Sequence, residues 1–157
     1  MSLRWISLVI GMGCLGSGGI GLTALGAQQV KEAGFEAVVT ASDPAVAVAG
    51  AYGGLRLSPR TRLSAVAGLG VAGSEVAWRA EALVSFLLNP LTRRGLGWYL
   101  GGGVAAIVGS ADRGYLIVTA GVEQDPGAGS GWALEAGVGG GVRLSAGYRW
   151  RWRNSHQ

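Results

Sequence analysis

Arginine and glutamate side chains recur at alternate positions of several apolar segments, and this is the clearest chemical pattern in the chain. Between Val142 and Trp152, for example, Arg143, Arg149 and Arg151 share one face, while the apolar and aromatic residues share the other. A period of two is that of a β-strand and not of a helix. Opposite charges on one face of a sheet can form ion pairs. We assign twelve residues to this charged face: Glu36, Arg56, Arg62, Glu75, Arg79, Glu81, Arg113, Glu123, Glu135, Arg143, Arg149 and Arg151.

Catalytic patterns are missing from the sequence. The only histidine, His156, is next to the C-terminus, and no Ser/His/acid set or metal-ligand cluster is visible. The glycine runs at 101–103 and 139–141 lack the lysine and the strand-to-helix context of a phosphate-binding loop. We therefore predict no enzyme activity, no metal and no cofactor.

The elements that position the charged face are predicted from turn signals. These recur every 14 to 20 residues, and the seven turns divide the chain into eight segments. Most segments have about the 9 to 11 residues of a tilted transmembrane strand. The turns are Ser42-Asp43-Pro44, Ser58-Pro59-Arg60, Gly73-Ser74, Asn89-Pro90, Ser110-Ala111-Asp112, Asp125-Pro126-Gly127 and Gly139-Gly140-Gly141.

Composition points to a membrane barrel. Hydrophobic residues make up 49% of the chain and charged residues only 14%. After residue 30, however, no apolar run approaches the roughly 18 residues of a membrane helix. A lipid-facing sheet gives this combination, because only alternate residues touch lipid. The formal charge of +4 comes mostly from dispersed arginines, which argues against a nucleic-acid partner.

The first 27 residues have the order of a cleaved signal peptide. Arg4 precedes an apolar segment, and small residues lead to Ala27. The alternative is a retained membrane helix, which seven glycines in that stretch disfavour. Cys14 lacks the preceding aliphatic residue expected of a lipoprotein cysteine. We predict a signal peptide at 1–27, a lead-in at 28–34, a barrel at 35–152 and a tail at 153–157.

Aromatic residues give a second test of the barrel. If the N-terminus starts on the periplasmic side and the strands alternate in direction, six distant aromatic side chains point outward near the periplasmic rim. Such rings collect at membrane–water boundaries. They are Phe35, Phe86, Trp98, Trp132, Trp150 and Trp152.

The signal peptide, the eight alternating segments and the aromatic-rich last strand, residues 144–152, resemble those of the small OmpA/OmpX-type outer-membrane barrels. The resemblance covers about residues 33 to 153. It implies an all-β, closed, antiparallel up-and-down transmembrane β-barrel of eight strands in a bacterial outer membrane. The expected partners are outer-membrane lipids and, during insertion, the barrel-assembly machinery; the expected state is a monomer.

Several alternatives stay open at this point. Segment 75–88 also fits an amphipathic helix, which would leave seven strands. The charged face could fill the lumen or line a narrow pore. A soluble lipocalin-like barrel would have eight strands with an apolar interior, and a lipid-A enzyme is the least favoured class. We predict a structural envelope protein whose lumen is filled by an Arg/Glu network.

Overall fold

The computed structural model describes residues 29–109 and 112–153, which form eight β-strands and no helix. The predicted signal peptide, residues 1–27, and tail residues 154–157 lie outside the described residues. The strands are β1 (Val30–Ala41), β2 (Val46–Arg56), β3 (Thr61–Ala72), β4 (Glu75–Leu87), β5 (Leu96–Gly109), β6 (Arg113–Gln124), β7 (Ser130–Val138) and β8 (Val142–Arg153).

Each strand pairs with its neighbours in the sequence, and β8 returns to pair with β1, so the sheet is a closed barrel. All eight pairings are antiparallel. At the closing seam Glu36 is opposite Gly147, and Val30 is opposite Arg153. The predicted fold class, an up-and-down barrel of eight strands, is confirmed.

Two local predictions differ from the structure. The barrel begins at Val30 and not at Phe35, so most of the predicted lead-in belongs to β1. The adjacent charges of Lys31 and Glu32 made this stretch look like a solvated lead-in, but Lys31 points outward and Glu32 is buried inside. At the other end, Arg153 is the last residue of β8 and not part of the tail. The helix alternative for 75–88 is wrong, since β4 alternates between buried and exposed side chains along its length.

The outer surface of the barrel is apolar. In β5, for example, Trp98, Leu100, Val104 and Val108 are all exposed, whereas Tyr99 and Ile107 between them are buried in the interior. Because the buried positions include eleven charged side chains, the polarity is the reverse of that of a soluble barrel. In the part of the chain that the structure describes, no helix is long and apolar enough to cross a membrane.

The two ends of the barrel differ in their connections. We call the end that carries Val30 and Arg153 the terminal rim; its connections are residues 57–60, 88–95 and 125–129. The opposite end, the distal rim, has the connections 42–45, 73–74 and 139–141, and β5 ends and β6 begins there. Residues 110 and 111 of the predicted turn between these two strands lie outside the described residues. The longest connection is therefore at the terminal rim. There the 88–95 and 125–129 loops bond to each other through Gly127 N to Thr92 O (2.7 Å) and Asp125 N to Gly95 O (2.8 Å).

The interior has an apolar layer towards the distal rim. Val38, Val46, Val48, Ala72, Ala77 and Ile107 pack together there, and Tyr115 packs against them. The charged side chains lie between this layer and the terminal rim. The apolar layer therefore separates the charges from the distal opening. This opening ends at packed side chains.

We predict that Val118→Arg lowers the free energy of unfolding of the barrel in a bilayer by more than a substitution on a water-exposed surface would. Val118 is 63% exposed and lies near the middle of β6. A cation at the bilayer midplane costs about 2–4 kcal/mol, whereas a surface substitution in water is usually within about 0.5 kcal/mol. Urea unfolding in lipid vesicles measures the difference. An unchanged free energy of unfolding would show that this face does not contact acyl chains.

Candidate functional site

The structure places ten of the twelve predicted charged-face residues inside the lumen, all buried: Glu36, Arg56, Arg62, Arg79, Glu81, Glu123, Glu135, Arg143, Arg149 and Arg151. The prediction was wrong for Glu75 and Arg113, which are exposed at the distal rim. Both fall in the inward-facing register of their strands, but they lie beyond the apolar layer, where water solvates them. Glu32, which is not among the predicted residues, is buried among the lumenal arginines.

Arg143 is the centre of a cluster on the distal side of the charged zone. Its guanidinium binds Glu81 at 2.7 Å and Glu36 at 3.2 Å, and it also bonds to Glu135. Glu81 additionally accepts a bond from Arg79 Nε at 2.5 Å. These residues come from β1, β4, β7 and β8. Since β4 is opposite β8 in the barrel, the Arg143–Glu81 pair spans the lumen.

A second cluster lies towards the terminal rim and is built around Glu32 and Glu123. Arg56 Nε donates to Glu32 at 2.7 Å, and Arg62 donates to Glu123 at 2.8 Å. Arg151 donates to Glu123 at 3.2 Å. The Arg62 and Arg151 contacts connect β3 and β8 to β6 through the interior. This cluster also spans the lumen, because β3 and β8 lie on different sides of β6.

Arg149 lies between the two clusters and contacts both. Its NH2 is 3.3 Å from Glu36 in the distal cluster, and its NH1 is 3.7 Å from Glu123 in the terminal cluster. Glu36 on the first strand thus accepts a hydrogen bond from Arg149 on the last strand, across the closing seam. The guanidinium also lies 4.2 Å from the centre of the Tyr52 ring. Such a cation–π contact is favourable for arginine away from water.

Two buried tyrosines and one glycine support this arrangement, and the sequence analysis did not identify them. Tyr52 donates to Glu32 at 3.0 Å, and the Tyr99 ring lies 4.7 Å from the Arg62 guanidinium. A Cβ at Gly121 would overlap the Tyr99 ring. Glycine at position 121 therefore leaves the space that Tyr99 occupies. The strand period of two could have identified both tyrosines, because each lies an even number of positions from an inward-facing residue of its own strand.

Donors exceed acceptors in the lumen. Six buried arginines face five buried glutamates. The buried side-chain atoms without a hydrogen-bond partner, among the described residues, are six guanidinium nitrogens and two hydroxyl oxygens, and no carboxylate oxygen is among them. Every fully buried carboxylate oxygen therefore has a hydrogen-bond partner, whereas several guanidinium nitrogens have none. An interior of this kind is filled by mutual pairing and keeps a residual positive charge.

In the described ranges, His, Cys, Asp and Glu side chains do not group in threes in a way that could hold a metal ion. The interior carboxylates are instead each bonded to arginine. The chemistry that this site displays is ion pairing across a narrow space.

The predicted interface aromatics all point outward in the terminal half of the barrel. Five are exposed, and Trp132 is half-buried. Phe35 and Trp150 pack with Tyr148 at the closing seam, with ring centroids 5.3 to 6.3 Å apart. Trp78, which was not in the predicted set, is an exposed aromatic in the distal half, opposite Leu69.

A closed eight-stranded antiparallel barrel with an apolar exterior and paired charges inside has the architecture of a small transmembrane barrel. Its fold is that of the OmpA/OmpX-type outer-membrane barrels. Two solved structures support this directly. The N-terminal β-barrel domain of OprF from Pseudomonas aeruginosa aligns with a TM-score of 0.60 at 12% identity and covers 80% of this chain and 98% of that domain.

Neisserial surface protein A (NspA) aligns with a TM-score of 0.52 at 16% identity, covering 79% of this chain and 97% of that protein. No family model matches the chain, and no curated protein sequence does. At these identities the likeness concerns the fold. It is consistent with the resemblance inferred from the alternating segments and the last strand.

We expect Arg149→Ala to lower the free energy of unfolding by about 3–5 kcal/mol, because it removes one partner from a buried charge network. Arg113→Ala is the matched control: Arg113 is exposed, so the expected change is within about 0.5 kcal/mol. Urea titration in micelles, followed by tryptophan fluorescence, measures both.

Arg149→Lys serves if the alanine variant does not fold. It keeps the charge but has no planar fork to reach both Glu36 and Glu123, so we expect a smaller loss of the same sign. Equal stability of the Arg149 and Arg113 variants would show that the bridge between the clusters does not contribute to folding.

Proposed function

We propose that this protein is an integral outer-membrane barrel with a structural role in the envelope and a lumen closed by its own side chains. The observation that carries the proposal is the pairing of charges across the interior. Arg143 on β8 bonds to Glu81 on β4, on the opposite wall, and Arg62 on β3 bonds to Glu123 on β6. An eight-stranded barrel is just wide enough for side chains to fill.

Three features support the proposed bacterial outer-membrane location: the apolar exterior, the aromatic residues of the terminal half, and the likeness to two outer-membrane barrels. We propose that the terminal rim faces the periplasm, because the first strand begins there and the last strand ends there. Export would start from the predicted signal peptide, which precedes the first strand. The lipocalin alternative requires the opposite polarity, with an apolar interior and a polar exterior.

The partners proposed are the acyl chains around the barrel and, during insertion, the barrel-assembly machinery. We propose a monomer, since the closed sheet leaves no unpaired strand edge for a second copy to extend. No catalytic role is proposed. Each interior carboxylate and each interior guanidinium group takes part in at least one ion pair.

Planar-bilayer recordings test the closed lumen. We expect insertion of the folded protein to give no stepwise conductance, because the apolar layer and both charge clusters block the axis. Cell fractionation and heat-modifiable gel migration, measured on the same preparation, report membrane insertion and folding. Regular conductance steps from a preparation that passes both checks would establish the narrow pore instead.

The envelope role is tested in cells. Deletion of the gene should raise sensitivity to detergent, and the wild-type gene should restore resistance. Arg113→Ala should restore resistance as well, because Arg113 is exposed outside the charge network. Unchanged detergent resistance after deletion would contradict a structural role.

A further inference from the structure

A cavity of about 410 Å³ opens at the terminal mouth of the lumen. One side is the barrel wall, which contributes Val30, Arg56 and Arg153. The other side consists of the 57–60 connection and the 88–95 loop, which contribute Ser58, Pro59, Pro90, Leu91 and Arg93. The cavity lies within the size range of small-ligand sites, about 300–1,000 Å³.

The charge of this cavity is positive, and among the described residues Arg56 is the only one of its three arginines with a carboxylate partner, Glu32 at 2.7 Å. Arg56, Arg93 and Arg153 line it. The carboxylates beneath, Glu32 and Glu123, are already shared with Arg62 and Arg151. Arg56 NH2 is 3.5 Å from Glu123 and makes no hydrogen bond among the described residues, although it is fully buried.

The surrounding rim adds to this charge. Lys31, Arg60 and Arg94 are exposed there. The carboxylate at this rim, Asp125, accepts a bond from the Gly95 amide at 2.6 Å. An anion that enters the cavity therefore meets the exposed guanidinium groups of Arg93 and Arg153, although one nitrogen of Arg153 already donates to Gly127 O at 2.7 Å. It meets little competing negative charge. Guanidinium forks bind phosphate oxygens in bidentate geometry.

Apart from Ser58, the remaining lining is apolar. Val30, Pro59, Pro90 and Leu91 contribute it, and Leu91 is 75% exposed. Leu57 and Leu88 are also exposed at this rim. A free inorganic anion leaves these groups unused, whereas a molecule that joins a phosphate to an apolar part contacts both kinds of lining.

We propose that this cavity binds the phosphate of an anionic phospholipid from the leaflet at the terminal rim, with its glycerol and first acyl carbons against Leu91 and the two prolines. The inference goes beyond the structural role and rests on the proposed membrane location. Arg93 and Arg153 hold the phosphate, and Arg56 adds positive charge at the base of the cavity.

Native mass spectrometry tests the site. The full-length mature protein is released from micelles that contain equal amounts of phosphatidic acid and phosphatidylcholine, and the retained lipid is counted. We expect phosphatidic acid to be retained in preference to phosphatidylcholine. Arg93→Gln and Arg153→Gln should each reduce its retention about tenfold, the effect of losing one charge-assisted hydrogen bond.

Arg94→Gln is the matched control, because Arg94 is the next residue in the same loop, carries the same charge and does not line the cavity. Its retention of phosphatidic acid should stay within about twofold of wild type, well below the tenfold step expected for one lost charged contact. An equal loss in the Arg93 and Arg94 variants would overturn the site in favour of general attraction to a basic rim. Equal retention of both lipids would overturn it too.

An excess of inorganic phosphate distinguishes a phospholipid from a free anion as the ligand of the cavity. We expect it to leave the retained phosphatidic acid in place, and complete displacement would assign the cavity to a free anion. Heat-modifiable migration of each variant is measured in parallel. If the wild-type protein retains no lipid but still shows the heat-modifiable gel shift, the site is refuted. The proposed membrane barrel is then unaffected.

Discussion

The rest of the structure depends on the requirement that charges removed from water inside a narrow barrel must find partners. An isolated buried ion costs several kcal/mol in lost hydration. The eleven buried charged residues meet this requirement mostly with partners on other strands, because only β4 carries buried charges of both signs, Arg79 and Glu81. Some of these pairs join neighbouring strands, and Arg143–Glu81 and Arg62–Glu123 cross the lumen. Arg143 alone contacts carboxylates from three other strands. The network thereby fixes the relative height of the strands, and a slip of one residue would turn its members towards lipid.

The charge distribution is also uneven along the barrel axis. The distal cluster has three glutamates, 36, 81 and 135, with Arg79 and Arg143, whereas the terminal cluster has three arginines, 56, 62 and 151, with Glu32 and Glu123. Arg149 joins the two and neutralises the excess of the first. The exposed groups follow the same trend: at the distal rim Asp43, Glu75 and Asp112 outnumber Arg113, whereas the other rim carries Lys31, Arg60, Arg93, Arg94 and Arg153. The basic cavity lies at the end where positive charge accumulates.

Much of this could be predicted from the sequence, and the failures have physical causes. A period of two assigns each residue to a face, and that was sufficient for ten lumenal charges; the turn signals separately located the breaks between the described strands. Period alone gives no height along the axis, so Glu75 and Arg113 were placed in the lumen although they lie at its rim. Glu32 was missed because the first strand was started too late; it shares the face of Glu36. The pairing of particular charges, and the cavity beside Arg93, depend on strand tilt and loop packing, which alternation does not encode.

Closure of the sheet has a consequence for assembly. The bonds from Arg143 and Arg149 to Glu36 join residues separated by 107 and 113 positions, across the seam between the first and last strands. In an intermediate whose ends have not met, Glu36 has neither partner, and two strand edges present unpaired amide and carbonyl groups. Both defects are tolerable in water and costly among acyl chains. Burial in the hydrocarbon layer and joining of the chain ends are therefore expected to occur as one cooperative event, with earlier intermediates held at the bilayer surface.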